Sequence, residues 1–173
     1  MTAHLHVALL RGINVGGHRR VPMPALRTVF EAAGCTRVKT YLQSGNVVFQ
    51  ADGPDVDRLQ AALLQAFGFA VDVVLRRADE WGAVRRHCPY LAQAAADPTT
   101  VHVAFLPEPP DPQRVTAVRA RAGTAWEARG REVYLHLPDG LGHSDLNLAP
   151  LGPVVTVRNW RTVEAVGALL DQP

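Results

Sequence analysis

The chain is poor in cysteine, aromatic residues and long apolar runs, and each shortage narrows the possible class of protein. Only Cys35 and Cys88 are present among 173 residues, and no C-x-x-C pair occurs. A chain of this length buries enough surface to fold without disulfide staples. No apolar stretch approaches the ~20 residues that a membrane span requires. The first apolar run, LHVALL, is too short for a secretory leader, so we expect a cytoplasmic protein without membrane contact.

Lysine is almost absent, since seventeen of the eighteen basic residues are arginine and Lys39 is the exception. Codon bias is sufficient to produce such a ratio, so the arginine count alone is weak evidence for an anionic partner. The position of the charges is more informative. Residues 1–53 hold six basic residues against Glu31 and Asp52, whereas the remainder is close to neutral. An excess of this size supports at most weak, salt-sensitive contact with nucleic acid.

Hydrophobic periodicity predicts strand, helix, strand, strand, helix, strand in the first half. The predicted strands are LHVALLR, TRVKTYL, NVVFQA and VDVVLRR. One helix begins near Pro24 and ends before Gly34, and the other is capped by Asp55. A short closing helix, ADEWGAVRRH, stops before Pro89. This is the split βαβ order of a ferredoxin-like unit.

The same order recurs in the second half. VHVAFLP predicts a strand, DPQRVTAVRARAG a helix, AWEARGREVYLHLP a hairpin turning at Gly130, and VVTVRNWRTVEAVGALL a strand with a closing helix. Where the second crossover helix belongs, GLGHSDLNLAPLG has room for only a turn or two. We therefore predict an α+β protein of two ferredoxin-like (βαββαβ) subdomains in tandem, the second abbreviated. They span residues 1–90 and 100–173, with a linker at 91–99.

This topology predicts where a ligand would lie. In a ferredoxin-like unit the end of the first strand and the hairpin after the second emerge at one edge of the sheet. A long, basic, glycine-rich loop follows the first strand here, and such loops tend to be functional. The predicted ligand-binding residues are Arg11, Gly12, Asn14, Gly16, Gly17, His18, Arg19, Gln43, Ser44, Gly45 and Asn46.

Two interpretations of this glycine loop stay open. Gly12 to Gly17 matches the G-x4-G part of a phosphate loop, but His18 and Arg19 replace the required lysine and hydroxyl residue. A nucleotide triphosphatase is therefore not expected. Backbone amides that glycine leaves uncovered, together with arginine side chains, can still hold a phosphate or a carboxylate. The other interpretation is a simple turn that needs positive φ at Gly16 and Gly17.

A second cluster is predicted in the second half by the same reasoning. It contains His143, Ser144, Arg158, Asn159 and Trp160. The run GHSD is not a catalytic triad, because adjacent side chains diverge. The seven histidines show no metal-ligand spacing, and we expect neither a metal nor a cofactor.

Four segments carry a resemblance to a known family: VALLRGINVGGHRRVPMPALR, YLQSGNVVFQ, LPDGLGHSDL and VTVRNWRTV. Together they resemble the DUF1697 family of bacterial proteins, in order, over almost the whole chain. The resemblance implies two ferredoxin-like subdomains and no established biochemical function. In the third segment His143 and Asp145 stand where the family usually has basic residues, and the following helix is cut short. If the family binds an anion there, this chain should bind it less well.

The leading hypothesis from the sequence is a module that binds an anionic small molecule at the glycine loop. An enzyme using His18 or His143 is an alternative, with Ser44 as a remote nucleophile, although no carboxylate pair, metal set or activated thiol can be assembled. A nucleic-acid partner is not expected, because the central strands offer only Phe49 for base stacking. A partner-binding protein that dimerises through sheet edges is also considered. The sequence does not predict the oligomeric state.

Overall fold

The computed structural model describes residues 3–172, which fall into two compact units. Unit 1 consists of Met1–Gly82 and Val166–Pro173, and unit 2 consists of Ala83–Ala165. The subdomain limits at residues 90 and 100 stay a prediction, and the outer limits at residues 1 and 173 lie outside the described residues.

The secondary structure follows the predicted order closely. The first half contains β1 (His4–Leu10), α1 (Met23–Ala32), β2 (Thr36–Tyr41), β3 (Asn46–Ala51), α2 (Val56–Phe67), β4 (Val73–Arg77) and α3 (Ala78–Arg86). The second half contains α4 (Leu91–Ala96), β5 (Val101–Phe105), α5 (Pro112–Thr116), β6 (Ala125–Arg129), β7 (Glu132–His136), β8 (Thr156–Asn159) and α6 (Trp160–Leu170). Two 3-10 turns, Leu141–His143 and Ala149–Leu151, lie between β7 and β8.

Unit 1 contains a four-stranded antiparallel sheet in the order β2-β3-β1-β4. Strand β3 lies between β1 and β2 and runs opposite to both, so β1 and β2 run in the same direction. Leu9 near the end of β1 and Tyr41 at the end of β2 both pair with Asn46, the first residue of β3. The register therefore brings the loop after β1 and the turn after β2 to one edge of the sheet.

Helices α1 and α2 pack on one face of this sheet. Leu26 and Phe30 of α1 and Leu59 and Leu63 of α2 are buried in a core with apolar residues of the strands. The Oδ1 atom of Asp55 accepts hydrogen bonds from the backbone amides at the start of α2, which confirms the predicted cap. The alternate residues of the strands are buried as well. They include Val7, Leu9, Val48, Val74 and Arg76.

The unit 2 sheet has the corresponding order, β6-β7-β5-β8, and all its pairs are antiparallel. The predicted α+β class is thus confirmed, with two four-stranded antiparallel sheets that are compatible with tandem ferredoxin-like units. The predicted hairpin at Gly130 also forms, because Arg129 pairs with Glu132. Between β7 and β8 only the two 3-10 turns occur in place of a crossover helix, as the glycines and prolines there predict.

Two segments differ from the sequence-based prediction. Helix α5 ends at Thr116 rather than running through residues 111–123, because Arg119 forms a β-bridge with Asn147 and the backbone amide of Arg121 donates to the carbonyl of Ser144. The predicted linker at 91–99 contains the short helix α4, in which Ala94 is buried.

Candidate functional site

The glycine loop is a small hairpin of its own. The backbone amide of Asn14 donates to the carbonyl of Arg19 at 3.0 Å, and the amide of His18 donates to the carbonyl of Val15 at 3.0 Å. Gly16 and Gly17 form the tip, with φ angles of 57° and 78°. The glycines therefore supply a tight turn with left-handed backbone, which is one of the two interpretations of the sequence.

The side chain of Asn14 ties this hairpin to the turn between β2 and β3. Its Nδ2 atom donates to the backbone carbonyl of Gln43 at 2.7 Å and to that of Val21 at 3.0 Å. Its Oδ1 atom accepts from the backbone amide of Val21 at 2.8 Å. One carboxamide thus closes the glycine loop and fixes the loop against the turn.

Gly45 allows the turn to approach β1 closely. Its φ is 84°, and its carbonyl accepts a hydrogen bond from the backbone amide of Leu10 at 2.9 Å. A Cβ atom at this position would lie 2.8 Å from both Leu10 Cβ and Ile13 Cδ1. The buried Asn46 holds the far side of the turn by donating to the carbonyl of Tyr41 at 2.7 Å and to Ser44 Oγ at 3.2 Å. Glycine is therefore required at position 45 by both conformation and space.

Two arginines of the loop contact a third segment, residues 69–72, which the sequence-based prediction does not include. Arg11 forms an ion pair with Asp72 at 3.3 Å. Arg19 donates to the backbone carbonyl of Ala70, and its guanidinium lies 4.9 Å from the ring centroid of Phe69. The sheet order could have indicated this segment. Strand β4 pairs with β1 and begins at the edge where β1 ends, so the residues just before β4 lie beside the glycine loop.

The outer surface of this edge is cationic and partly apolar. His18, Arg20 and Ser44 are exposed, as are Val15 at 64% and Leu42 at 53%. The Nε atom of Arg20 donates to the carbonyl of Gly17 at 3.3 Å. The loop edge, meaning Arg11 to Arg20 with Gln43 to Asn46, thus presents basic side chains, amides and a hydroxyl on one rim of unit 1.

The residues of the second predicted cluster have separate structural roles. Ser144 is buried, and its Oγ atom donates to the carbonyl of Leu141 at 2.8 Å. The carboxamide oxygen of Asn159 accepts from the backbone amide of Thr162 at 2.9 Å at the start of α6. Arg158 is buried and donates to Thr156 Oγ1 at 2.7 Å. Burial lowers the pKa of Arg158 to about 10. Trp160 is buried, and His143 is exposed.

None of these hydrogen bonds joins the His143–Ser144 side of the second cluster to its Arg158–Trp160 side. The two sides lie in different elements of unit 2, the first 3-10 turn and the junction of β8 with α6. A ligand site at this cluster stays a prediction.

Outside these two clusters, both cysteines and two of the histidines are buried, and burial shifts their pKa values. Cys35 and Cys88 are free and buried, and burial raises the pKa of both thiols. His6 and His102 lie in corresponding strands, and burial lowers the pKa of each ring. Among residues 3–172, no group of three histidine, cysteine or acidic side chains is close enough to hold a metal ion.

Two pockets of unit 1, each of about 510 Å³, lie outside the loop edge. One lies between α1 and α2 and is lined mainly by alanines, together with Arg58 and Gln65. The other lies between α1 and β2 and is lined mainly by charged residues. The loop edge is an open rim rather than part of either pocket.

In the described part of the chain no helix is long and apolar enough to span a membrane.

Comparison with known proteins identifies the family of the chain but indicates no activity. A conserved bacterial protein, SP0830 from Streptococcus pneumoniae, has a similar fold, with a TM-score of 0.76 and 22% sequence identity. The match covers 98% of this chain and 100% of that one. No curated protein matches the chain. The family model for proteins of unknown function named DUF1697 matches residues 3–134. Since that match covers well over half of the chain, the protein belongs to the DUF1697 family.

Proposed function

We propose that this protein binds a small anionic ligand, carrying a phosphate or a carboxylate, at the loop edge. The observation that carries the proposal is the hydrogen bond from Asn14 to the carbonyl of Gln43, which unites two polar segments in one rim. We also interpret each unit as a ferredoxin-like fold, the second abbreviated by the loss of its crossover helix.

The chemistry of the rim suits a weakly held anion. His18 and Arg20 are exposed beside the amides of the glycine turn, and Ser44 adds a hydroxyl from the opposite segment. Charge-assisted hydrogen bonds from arginine to phosphate or carboxylate are stronger than neutral ones. The rim is open to water, so binding should weaken as salt screens the charges.

Arg11 is a further candidate ligand residue of the rim, and it forms an exposed ion pair with Asp72. The two side chains are 47% and 42% exposed, and surface pairs of this kind contribute only about 0–1 kcal/mol. A ligand anion can therefore compete with Asp72 for the guanidinium at little cost. Arg19 has a different role, because its contacts with Ala70 and Phe69 hold the base of the loop.

The buried sheet argues against recognition of RNA in the manner of ferredoxin-like RNA-binding domains. Those domains stack bases on exposed aromatic residues of the central strands. Here Phe49 is fully buried and packs edge-to-face against Phe30 at 5.2 Å. On the other face Val7, Leu9 and Val48 are buried too.

A thermal-shift screen tests the proposal. A ligand that binds only the folded state raises the melting temperature by mass action, so phosphorylated and carboxylated metabolites should include stabilisers. The double variant His18→Gln/Arg20→Ala should lose that shift, whereas Arg86→Ala, which removes an exposed arginine at the end of α3, should keep it. The proposal fails if no anion stabilises the protein more than chloride at equal ionic strength, or if the double variant responds like the parent.

A further inference from the structure

A second cationic site lies in unit 1 between α1 and β2. A pocket of about 510 Å³ there is lined by Arg27, Glu31, Arg37, Val38, Lys39 and Thr40. Among the described residues that line this pocket there are three cations and one carboxylate, which leaves the lining a formal balance of two positive charges. None of these residues belongs to the loop edge, so a ligand in this pocket is independent of the proposed function.

The backbone of β2 projects two of these cations from an irregular stretch of an edge strand. The pairing of β2 with β3 shifts register between Thr36 and Lys39, and Arg37 has a φ of 52°. A non-glycine residue in the left-handed region is uncommon and strained, and bulges often re-aim side chains near functional sites. The strand therefore keeps Arg37 in a costly conformation beside Lys39, the single lysine of the chain.

Gln172 shows that the two cations can converge on one small group with oxygen acceptors. Arg37 Nη2 donates to the backbone carbonyl of Gln172 at 3.3 Å, and Lys39 Nζ donates to its Oε1 atom at 3.0 Å. A neutral residue satisfies these hydrogen bonds but neutralises no charge. Arg27 forms an exposed i,i+4 ion pair at 2.9 Å with Glu31, which is the one carboxylate lining the pocket.

We propose that this pocket binds the dianionic phosphate group, with Arg37 and Lys39 as its direct ligands and Arg27 as a further cation. Phosphate matches the formal balance of two positive charges, and guanidinium and ammonium groups are the usual protein donors to its oxygens. Gln172 does not line the pocket, so phosphate there draws the donors of Arg37 and Lys39 away from the two oxygen atoms of Gln172.

An NMR titration of the full chain with inorganic phosphate tests this proposal residue by residue. The backbone amides of residues 37–40 should shift and saturate, beyond the change caused by sodium chloride at equal ionic strength. Arg37→Gln and Lys39→Ala should each weaken phosphate binding about tenfold, as expected for the loss of a charge-assisted hydrogen bond. Lys39→Arg keeps the charge and should stay within about threefold of the parent. A phosphate monoester, glycerol 3-phosphate, should bind at least as well if the group is recognised as part of a metabolite, and worse if the pocket takes only the free ion.

Two further arms make the outcome decisive. Gln172→Ala removes the competing neutral group and should leave phosphate binding unchanged or tighter; weaker binding would overturn the proposal. The variant His18→Gln/Arg20→Ala should leave the shifts at residues 37–40 intact, so failure here is distinguishable from failure at the loop edge. The proposal is also overturned if residues 37–40 respond to phosphate as they do to chloride, or if Arg37→Gln and Lys39→Ala bind like the parent.

Discussion

The carboxamide of Asn14 donates a 2.7 Å hydrogen bond to the backbone carbonyl of Gln43, which is 29 positions further along the chain. The same carboxamide accepts from the backbone amide of Val21, a residue with no exposed surface. The side chain of Asn14 therefore joins the two segments of the loop edge. The φ of Asn14 is 53°, a left-handed backbone conformation that asparagine tolerates better than most residues.

Replacing Asn14 should destabilise the protein. Asn14→Ala leaves the buried amide of Val21 without its acceptor and places alanine in left-handed backbone, so we expect a loss of about 2–3 kcal/mol in the free energy of unfolding. Urea denaturation followed by circular dichroism measures this change. Gln43→Ala is the control: it keeps the backbone carbonyl that accepts the short bond and removes only the longer 3.4 Å bond from Asn14 Nδ2 to Gln43 Oε1, so it should cost little. Equal stability of Asn14→Ala and the parent would show that the carboxamide does not hold the loop.

The contact of Gly45 with β1 predicts a difference between two glycine substitutions. Gly17→Ala meets no atom within 4 Å and should cost only the strain of left-handed backbone, about 1–2 kcal/mol. Gly45→Ala adds overlap with Leu10 and Ile13 and should cost roughly 1–3 kcal/mol more. Thermal unfolding of both variants gives the comparison. Similar losses for the two would contradict the close packing of the turn on β1.

Burial of His6 and His102 predicts a fall in stability on mild acidification. His6 Nε2 and His102 Nδ1 are buried and have no hydrogen-bond partner within residues 3–172, and burial lowers the pKa of both rings below the ordinary value of 6.5. The unfolded chain then binds more protons than the native one, so the stabilisation is fully present above pH 6.5 and is lost as the pH falls below it.

Urea titrations between about pH 7.5 and about pH 5.5 measure this pH dependence. His4, Arg77 and Glu80 also act on His6, so the variant replaces the ring itself rather than a neighbour. The double variant His6→Leu/His102→Leu should show a shallower fall in the free energy of unfolding than the parent. His87→Gln, which alters an exposed ring, serves as the control. A double variant with the parent's pH dependence would refute a role for these two rings.

The two cysteines should be inert in the native protein. Both are buried, and burial raises the pKa of each thiol, so little thiolate is present at neutral pH. A chromogenic disulfide reagent at neutral pH should label neither cysteine rapidly, whereas both should react at once in denaturant. Rapid labelling of one thiol in the folded protein would point to a reactive cysteine that the structure does not show.

The fold was largely predictable because its signals are local. Alternating and helical apolar spacing indicated the strands and α1 and α2, Asp55 indicated a helix start, and Gly130 indicated a hairpin. Helix α5 ends early for a reason that local spacing does not contain: residues 119–121 bond to a segment more than twenty positions away. Helix α4 was not predicted because its alanine-rich sequence resembles a linker.

The meeting of the two loop-edge segments was predictable from the sequence, but its atomic detail was not. Strand order alone brought Asn14 near Gln43, and the register of β1 and β2 with β3 accounts for this. Which atoms bond is a matter of side-chain geometry, so the double role of the Asn14 carboxamide could not be read from residue types. The contacts of Arg11 and Arg19 with residues 69–72 join positions 61 and 51 apart, and no periodicity reports such pairs.

Whether an anion binds at the loop edge is decided by a crystal structure of the protein grown with the best stabiliser from the thermal-shift screen. We expect ligand density within hydrogen-bond distance of Arg11, His18 or Arg20 and of the turn Gln43 to Asn46. A stabilising anion whose density lies elsewhere, with the loop edge holding only water, would contradict the proposed function.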